Sequence, residues 1–451
     1  NITLRLNISE GITCVIQDIQ IVGLKTVKEK YIHREVTFKI NENYNILKIE
    51  QTRQRILNSG HFSSVEIYPE IIDESEGFVE ININVREYKA SSIEADFGFS
   101  ELSTWQNPLT TPGFDVGSKW VIGNIMDTPS KIIIMGRVAT EIDLQSLISK
   151  KNLKQIDTRF TYKSPWTFSF RLPSETRLFY EIDNDERDNL HRYGLSHLMY
   201  YEIRKATRYE FLSTYQIINS QHVYSDEKTE PARSIEFSYT SNKIQNIIKP
   251  EGGYYFKLSL SLYGTFLGGK RDFVQFNTEY RKYLPIFTQS ILAFRYKMGY
   301  IYNLNETDST FRKLYTFELG GQSSLRGWSN VNDYDNEGKL IYDLINMEFR
   351  LGIYKKWGGI LFLDSGRLYD KISEYTEIDI SWDYGFGITY DTAFGTARIE
   401  FAIPYYGSSN YQNMVDDSDS NESGSIIPLL SALLNISNLT LVILYLSSLN
   451  F

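Results

Sequence analysis

Hydrophobic and polar residues alternate along most of the chain from about residue 90 onward. In Lys257–Leu262 every second residue is leucine, and from Leu292 to Tyr302 every second residue is apolar or aromatic. Successive side chains of a β-strand point to opposite faces of its sheet. Each such run therefore predicts a strand with one face suited to lipid and the other suited to water.

The length of these runs distinguishes two all-β architectures. Strands of a soluble sandwich are shorter and keep their apolar face inside, whereas many runs here reach about ten residues, as a tilted membrane-spanning strand requires. We predict a mainly β chain, with a transmembrane antiparallel β-barrel of about 16 strands over residues 90–451. The alternative count is about 14, because the adjacent runs 195–204 and 206–219 are the least distinct. The predicted strands are 92–101, 114–124, 131–140, 155–163, 167–182, 195–204, 206–219, 233–243, 253–264, 272–283, 289–303, 341–354, 358–366, 381–391, 396–405 and 437–451.

Residues 12–89 have a different pattern, in which two helical stretches separate the alternating ones. The predicted order is β-α-α-β-β, a small α+β domain whose helices cover one face of a sheet. Thr26 is the predicted N-cap of the first helix, and Gly60 is the predicted end of the second. A general α+β binding module has the same order and is the alternative. The predicted elements are a strand over 14–22, helices over Val27–Val36 and Ile46–Ser59, and strands over Val65–Ile72 and Phe78–Tyr88.

The stretch Ile426–Leu449 is apolar enough to raise the question of a transmembrane helix. Pro428, several asparagines and serines, and β-branched residues disfavour a helix exposed to lipid. From Leu439 to Tyr445 apolar residues occupy every second position. A final barrel strand that ends on the aromatic Phe451 explains this pattern better.

Charge and composition bear on one class of function and on the barrel prediction. The 451 residues carry a formal net charge of −9, which disfavours nucleic-acid binding because that needs a basic surface. The mean hydropathy of −0.32 is typical of a soluble protein, but 14% of the residues are aromatic. A barrel with a polar interior and aromatic girdles has this combination.

We expect neither a metal nor a cofactor. The five histidines show no metal-ligand spacing, and the single cysteine, Cys14, allows no intramolecular disulfide. The acidic run 416–422 is interpreted as a solvated loop, since it lacks the glycine that fixes a calcium loop. The N-terminus lacks the charged and apolar segments of a secretory signal, so we expect a sequence without one.

The long loop predicted over residues 304–340 contains Gly320, Gly321, Ser324, Leu325, Arg326, Gly327 and Trp328. One interpretation is an exposed hairpin with Arg326 in water, since charged side chains are mostly exposed. The other is a loop folded back into the barrel, with Arg326 paired to a carboxylate. By strand parity Glu348, Asp364, Asp383, Arg398 and Glu400 all face the lumen. We therefore favour the second interpretation.

A buried arginine needs a carboxylate partner, because an unpaired buried charge is costly. A guanidinium and a carboxylate can form two parallel hydrogen bonds that also fix their orientation. Our hypothesis is that Arg326 pairs with Asp364, with Glu348 or Asp383 as the second partner.

Enzyme motifs are missing from the sequence. Gly321–Leu325 is not a G-x-S-x-G nucleophile elbow, because Leu325 replaces the second glycine. The histidines near predicted barrel strands, His191, His197 and His222, have no serine or aspartate at a recognisable motif spacing. The sequence also has no phosphate-binding glycine loop. We expect that the protein is not an enzyme.

Several of these segments resemble one family. Val22–Thr26 and Leu57–Val65 resemble a POTRA domain, and residues 1–11 resemble the end of a preceding POTRA domain. Gly320–Trp328, Leu361–Gly366 and Gly395–Pro404 resemble the inserted loop and last strands of the BamA/TamA superfamily of outer-membrane barrel assembly proteins. Trp as the aromatic of the loop, and Leu325 where Val or Ile is commoner, are mild departures that favour a TamA-like branch without settling it.

The resemblance implies a bacterial outer-membrane protein whose POTRA domain lies in the periplasm. Such a protein receives unfolded barrel or autotransporter substrates, partly by strand addition at a sheet edge, and works with the bilayer and with periplasmic or lipoprotein accessory subunits. Because open sheet edges are not tolerated in lipid, we expect insertion through a lateral seam between the first and last strands. The predicted seam residues are Ser92, Phe99, Leu441 and Phe451.

Two other functions remain as alternatives. A two-partner-secretion pore shares POTRA domains and an Arg-Gly-aromatic loop, and would transport a polypeptide. A passive porin would need neither feature.

Overall fold

The computed structural model describes seventeen stretches of the chain. The described residues fall into two compact units, one within 1–95, 118–135 and 159–177 and the other within 96–117, 136–158 and 178–451. The described stretches are 12–88, 91–103, 110–125, 128–141, 153–168, 170–184, 188–203, 206–222, 228–246, 249–305, 308–321, 323–328, 331, 338–378, 380–392, 396–405 and 442–447.

The N-terminal domain has the predicted β-α-α-β-β order. Its three strands form a sheet in the order β1-β3-β2, with β1 parallel and β2 antiparallel to the central β3. The isoleucines Ile16, Ile56, Ile81 and Ile83 are fully buried in one core between the sheet and the helices. The elements are β1 Val15–Val22, α1 Lys30–His33, α2 Ile46–Asn58, β2 Phe62–Asp73 and β3 Phe78–Glu87.

The second helix begins and ends at residues that favour helix ends. The Asn45 side chain accepts a hydrogen bond from the backbone N–H of Leu47 at 2.9 Å, which satisfies one of the unpaired donors of the first turn of α2. Gly60 lies just beyond the end of α2 with φ +73°, a left-handed conformation that favours glycine.

The predicted first helix is wrong over most of its length. Only Lys30–His33 is helical, and Thr26 does not cap it. The Thr26 hydroxyl instead donates to the Glu87 carboxylate, which also accepts the backbone N–H groups of Lys25 and Val27. Burial would raise the pKa of Glu87, but these donors hold the pKa below its usual value. The backbone N–H groups that would begin a helix after Thr26 are therefore already bonded to Glu87 of β3.

Within the described stretches, the remaining strands form a sixteen-stranded sheet in sequence order from β4 to β19, as predicted. From β9 to β19 every neighbouring pair is antiparallel. The ambiguous runs are two separate strands that form the hairpin β9–β10. The strands are β4 Ser91–Ser103, β5 Thr110–Gly123, β6 Lys131–Glu141, β7 Leu153–Ser164, β8 Ser174–Asn184, β9 Asp188–Ile203, β10 Thr207–His222, β11 Lys228–Asn242, β12 Gly253–Tyr263, β13 Phe273–Phe287, β14 Ser290–Asn303, β15 Ile341–Tyr354, β16 Trp357–Tyr369, β17 Ser381–Asp391, β18 Thr396–Tyr405 and β19 Val442–Ser447.

The strand predicted over 167–182 begins later, at Ser174. Before it, Phe168 has φ +54° in a tight turn closed by Thr167 and Phe170. Side chains of this turn bind Glu35 within the first unit: the Trp166 indole N–H donates to Glu35 at 2.8 Å, and Arg171 Nε donates at 2.7 Å. These contacts hold the segment in a turn, so alternation alone gives the wrong boundary.

The two faces of the sheet differ as the alternation predicts. On β16, Phe362 and Asp364 are buried, whereas the neighbouring residue Leu361 is exposed. On β17, Asp383 is buried, and Tyr384 and Phe386 are exposed. We call the face that carries Asp364 and Asp383 the inner face, and the face that carries Leu361 and Phe386 the outer face.

Several predictions fall on residues outside the described stretches. These are the end of a preceding domain over 1–11, the acidic run 416–422, and all of 426–451 except 442–447. Residues 442–447 form β19, a strand paired antiparallel with β18. Among the described residues, none of the helices has both the length and the hydropathy of a membrane span.

Candidate functional site in the inserted loop

The connection between β14 and β15 contains a helix that the sequence did not predict, α3 Ser309–Tyr315. Asp308 accepts the backbone N–H of Phe311 at 2.7 Å and so caps the helix. The buried side chains of Phe311, Leu314 and Tyr315 recur at helical spacing and pack against Phe273 of β13. The helix therefore closes an apolar cluster at the base of the loop.

A tight turn follows the helix at Gly320–Trp328. The backbone N–H of Gly321 donates to the carbonyl of Trp328 at 2.7 Å, and the N–H of Trp328 donates to the carbonyl of Leu325 at 3.1 Å. Gly320 and Gly321 have φ +140° and +76°, which a residue with a side chain rarely adopts. The glycines thus permit the reversal that presents Arg326 at the tip.

Apolar contacts hold the tip beside the inner face. Leu325 is fully buried and packs with Leu319, Leu344 and Leu368. Trp328 packs against this cluster, and its indole N–H donates to the carbonyl of Trp382 at 3.2 Å. Leu325 therefore fills an apolar site beside the inner face.

Arg326 is 5% exposed and lies among carboxylates of the inner face. It forms a bidentate pair with Asp364: Nε donates to Oδ2 at 2.7 Å, and Nη2 donates to Oδ1 at 2.8 Å. Nη1 donates to Glu348 at 2.7 Å and to Glu400 at 3.1 Å. The guanidinium also stacks 3.6 Å from the ring centre of Phe362. Such a pair fixes the orientation of the arginine as well as its position.

The carboxylates around Arg326 have further cationic partners. Glu348 also accepts from Arg350 and Arg398, and Arg398 lies 3.2 Å from Glu400. In a buried site the Coulomb attraction repays the cost of desolvation only where each charge is paired and hydrogen-bonded. Here the charges form one network, so removing one member leaves the others poorly compensated.

Asp383 also lies at the tip. Its Oδ2 accepts the backbone N–H of Gly327 at 3.0 Å, a contact that the sequence could not specify. A Cβ on Gly327 would lie 2.8 Å from Cβ of Asp383 and 2.9 Å from the backbone nitrogen of Pro404. The glycine is therefore required by close approach to β17 and β18.

Three polar contacts at the tip were missed by the sequence hypothesis. Glu400 is a partner of Arg326, Arg295 Nη1 donates to the carbonyl of Ser323 at 3.0 Å, and the Asn346 amide donates to the carbonyl of Ser324 at 2.8 Å. Asn346 also donates to Asp364 at 2.8 Å. Strand alternation places Glu400, Arg295 and Asn346 on the inner face, and this is the only sequence feature that could have identified them as contacts of the tip.

The predicted seam residues are described only in part. Ser92 and Phe99 lie on β4, whereas Leu441 and Phe451 lie outside the described residues. β4 and β19 are the two ends of the sheet order. The register of β18 with β19 shifts between Arg398 and Glu400.

The tip has no metal-binding geometry. Within the described stretches, no group of three or more His, Cys, Asp or Glu side chains could hold a metal ion. The buried carboxylates are held by arginines, so the arrangement is suited to fixing a loop against a wall.

Comparisons with known proteins agree in pointing to one family. The sequence profile of the Omp85 superfamily domain matches residues 144–418, and the POTRA profile, described as a surface antigen variable number repeat, matches residues 14–88. The outer membrane protein assembly factor BamA of Neorickettsia risticii (strain Illinois) is 22% identical over 409 residues. That match covers 86% of this chain and 52% of BamA, so the chain spans about half the length of this relative.

Two solved structures share the fold. BamA from Haemophilus ducreyi lacking POTRA domains 1–3 matches with a TM-score of 0.68 and 15% identity, over 88% of this chain and 82% of that one. CdiB from Acinetobacter baumannii matches with a TM-score of 0.55 and 10% identity, over 88% and 72% of the two chains.

Proposed function

Because the chain belongs to the Omp85 superfamily, we propose that it receives unfolded barrel or autotransporter proteins through its POTRA domain and inserts them through a lateral seam of its barrel. The chain is an outer-membrane protein with a transmembrane β-barrel and a periplasmic POTRA domain. The observation that carries the proposal is the buried loop tip, in which Arg326 binds carboxylates of the barrel wall.

The POTRA sheet offers edges to which an extended segment can be added. β1 and β2 are the outer strands of the three-stranded sheet. On β2, Ile71 and Ile72 are 59% and 58% exposed. An added strand gains main-chain hydrogen bonds from the edge and side-chain contacts from exposed apolar residues. This surface is where we expect an unfolded substrate or an accessory subunit to bind.

The sheet order supports the proposed seam. β4 and β19 end the sequence of paired strands, and each would present unpaired backbone groups to lipid if left alone. A substrate strand that pairs with either edge satisfies those groups during transfer. The register shift between β18 and β19 supports a weak final pairing.

The loop tip contacts the four strands that lead to the seam. Arg326 binds Glu348 of β15, Asp364 of β16 and Glu400 of β18. The next residue, Gly327, binds Asp383 of β17. We infer that the tip holds this wall in register while the pairing beside it opens.

The proposal is tested by reconstituting the full chain in liposomes and adding an unfolded barrel protein. The expected result is faster insertion than into protein-free liposomes, with the gain reduced in Arg326→Ala. Insertion at the rate of protein-free liposomes, by a folded chain, would contradict the proposal.

A second candidate function is a two-partner-secretion pore, because the fold is shared with CdiB. This function predicts steady ion conductance across a planar bilayer and no acceleration of barrel insertion. Assembly predicts the opposite pattern, so the two measurements on one preparation distinguish them.

A further inference from the structure

A groove of about 420 Å³ lies where β16 ends, β17 begins and β18 ends, beside the connection from β16 to β17. It lies on the face of the sheet opposite the loop tip, and Trp382 belongs to both: its carbonyl accepts the Trp328 indole N–H, and its side chain lines the groove. Its lining combines one cation with aromatic and aliphatic side chains. The lining residues are Arg367, Tyr375, Thr376, Ile378, Ile380, Trp382 and Tyr405.

The groove belongs to the outer face of the barrel. Trp382 is on the same side of β17 as the exposed Tyr384 and Phe386, and it lies opposite Tyr405 of β18 with ring centres 4.6 Å apart. Aromatic residues collect at both membrane interfaces of a barrel. The groove therefore opens where the apolar outer face meets a membrane surface.

Arg367 brings a positive charge to this apolar face. It shares the outer side of β16 with Leu361, and it is opposite Asp343 in the register with β15. Arg367 forms an ion pair with Asp343, with Nε 3.4 Å from Oδ1. An arginine on a lipid-facing strand is tolerated near an interface and carries a cost that rises with depth.

The loop over the strand ends fixes the guanidinium beside the groove. Arg367 Nη1 donates to the carbonyl of Tyr375 at 3.0 Å, and the guanidinium carbon is 3.7 Å from the centre of the Tyr375 ring. The arginine is thus pre-oriented, so little side-chain entropy is lost when it binds a ligand.

We propose that this groove binds the anionic headgroup of a membrane phospholipid, with Arg367 contacting the phosphate and the acyl chains lying along the outer face. The planar guanidinium of arginine can donate two parallel hydrogen bonds to two oxygens of a tetrahedral phosphate. The cavity is of the size of small-ligand sites, and Ile380, Tyr375 and Tyr405 are each more than two-fifths exposed. Those apolar surfaces would contact the glycerol and the upper acyl chains.

The test is native mass spectrometry of the full chain, purified in detergent with equal amounts of phosphatidylglycerol and phosphatidylcholine. Four proteins are compared: the unchanged chain, Arg367→Ala, Thr376→Trp, and Lys356→Ala. Thr376→Trp fills the groove from the exposed end of the loop and leaves the arginine in place. Lys356→Ala removes an exposed charge from the opposite strand ends.

We expect the unchanged chain and Lys356→Ala to retain phosphatidylglycerol over phosphatidylcholine, and both groove variants to retain several-fold less of it. A thermal melt by circular dichroism identifies a variant that fails to fold, in which case the other groove variant decides. Equal retention in all four proteins would overturn the proposal. Displacement of the lipid by inorganic phosphate at equal concentration would also overturn it, because the site would then select free phosphate.

Discussion

Arg326 has its carboxylate partners on three strands, so both its charge and its shape contribute to the docking of the loop. Lysine keeps the charge but lacks the planar fork that binds Asp364 with two hydrogen bonds. We predict that Arg326→Lys destabilises the docked tip by about 3 kcal/mol, near the lower end of the cost of breaking a buried pair. The measurement is hydrogen exchange of residues 319–328 in the reconstituted protein.

The control for this prediction is Arg137→Lys. Arg137 pairs with Asp96 at 3.0 Å but is about half exposed, so its replacement should cost less than about 1 kcal/mol. Equal effects of the two substitutions on exchange at the tip would contradict a special role for the Arg326 geometry.

Gly327 is limited by space. An alanine methyl group there would meet the Asp383 side chain and the Pro404 backbone closer than van der Waals contact. We predict that Gly327→Ala undocks the tip and exposes Leu325, so that limited proteolysis cuts the loop at least several-fold faster. Gly136→Ala is the matched control, because its methyl group would meet nothing within 4 Å. Unchanged proteolysis of both variants would show that the wall can move to accept the methyl group.

From the sequence, strand alternation could predict which carboxylates share a face with Arg326, but not every contact of the loop tip. Alternation put Asp364, Glu348 and Asp383 on one face, and the cost of a buried charge favoured an Arg326 pair. Strand alternation gives the face on which a residue lies, but it does not give the position along the strands at which the loop tip binds. For that reason the Glu400 contact and the contact from Arg295 to the Ser323 carbonyl, which depend on loop path and strand register, were not predicted.

At the scale of elements, the turn from α2 into β2 buries His61. Burial and the nearby Lys131 both disfavour the charged imidazole and lower the pKa of His61 to about 4. In the unfolded chain the pKa is about 6.5. Between these values the unfolded state binds more protons, so the POTRA domain loses stability as the pH falls from 6.5 to 4 and is unaffected by this group above 6.5.

We predict that this titration weakens the POTRA domain by about 3 kcal/mol across that window. Hydrogen exchange of β3 in the full chain is measured at pH 7 and pH 4.5 for the unchanged protein and for His61→Gln. Comparing the two proteins at each pH removes the intrinsic pH dependence of exchange. The unchanged protein should lose more protection at pH 4.5, and a parallel loss in both proteins would exclude His61 as the cause.

Element prediction from sequence succeeded where periodicity was long and failed where tertiary contacts decide. On β15, β16 and β17, for example, turning the strand over would expose Glu348, Asp364 or Asp383 to lipid, so alternation fixes which face points inward. The segment before Ser174 alternates as well, but Glu35 binds Trp166 and Arg171 and holds it in a turn. The helix expected after Thr26 is short because Glu87 takes the donors at its start.

At the scale of the whole molecule, the proposed activity depends on separating β4 from β19. We predict that a disulfide between cysteines placed on these strands, in a Cys14→Ser background, reduces insertion of a barrel substrate at least tenfold, and that reductant restores it, since each tenfold corresponds to about 1.4 kcal/mol of barrier. Insertion is scored in the liposome assay described above.

The control disulfide joins Val274 and Tyr302, which lie opposite each other on β13 and β14 and away from the seam. This cross-link should leave insertion unchanged. Full activity with the β4–β19 cross-link closed would rule out lateral opening and favour transfer through the lumen.

The carboxylates that receive the loop tip all come later in the chain than the tip itself. Glu348, Asp364, Asp383 and Glu400 lie on four successive strands after Arg326. During synthesis the arginine is therefore made before any of its partners, and a chain that stops before β18 offers it an incomplete set. The loop can therefore dock fully only after the last strands have been made and paired in the right order, so docking depends on a complete barrel.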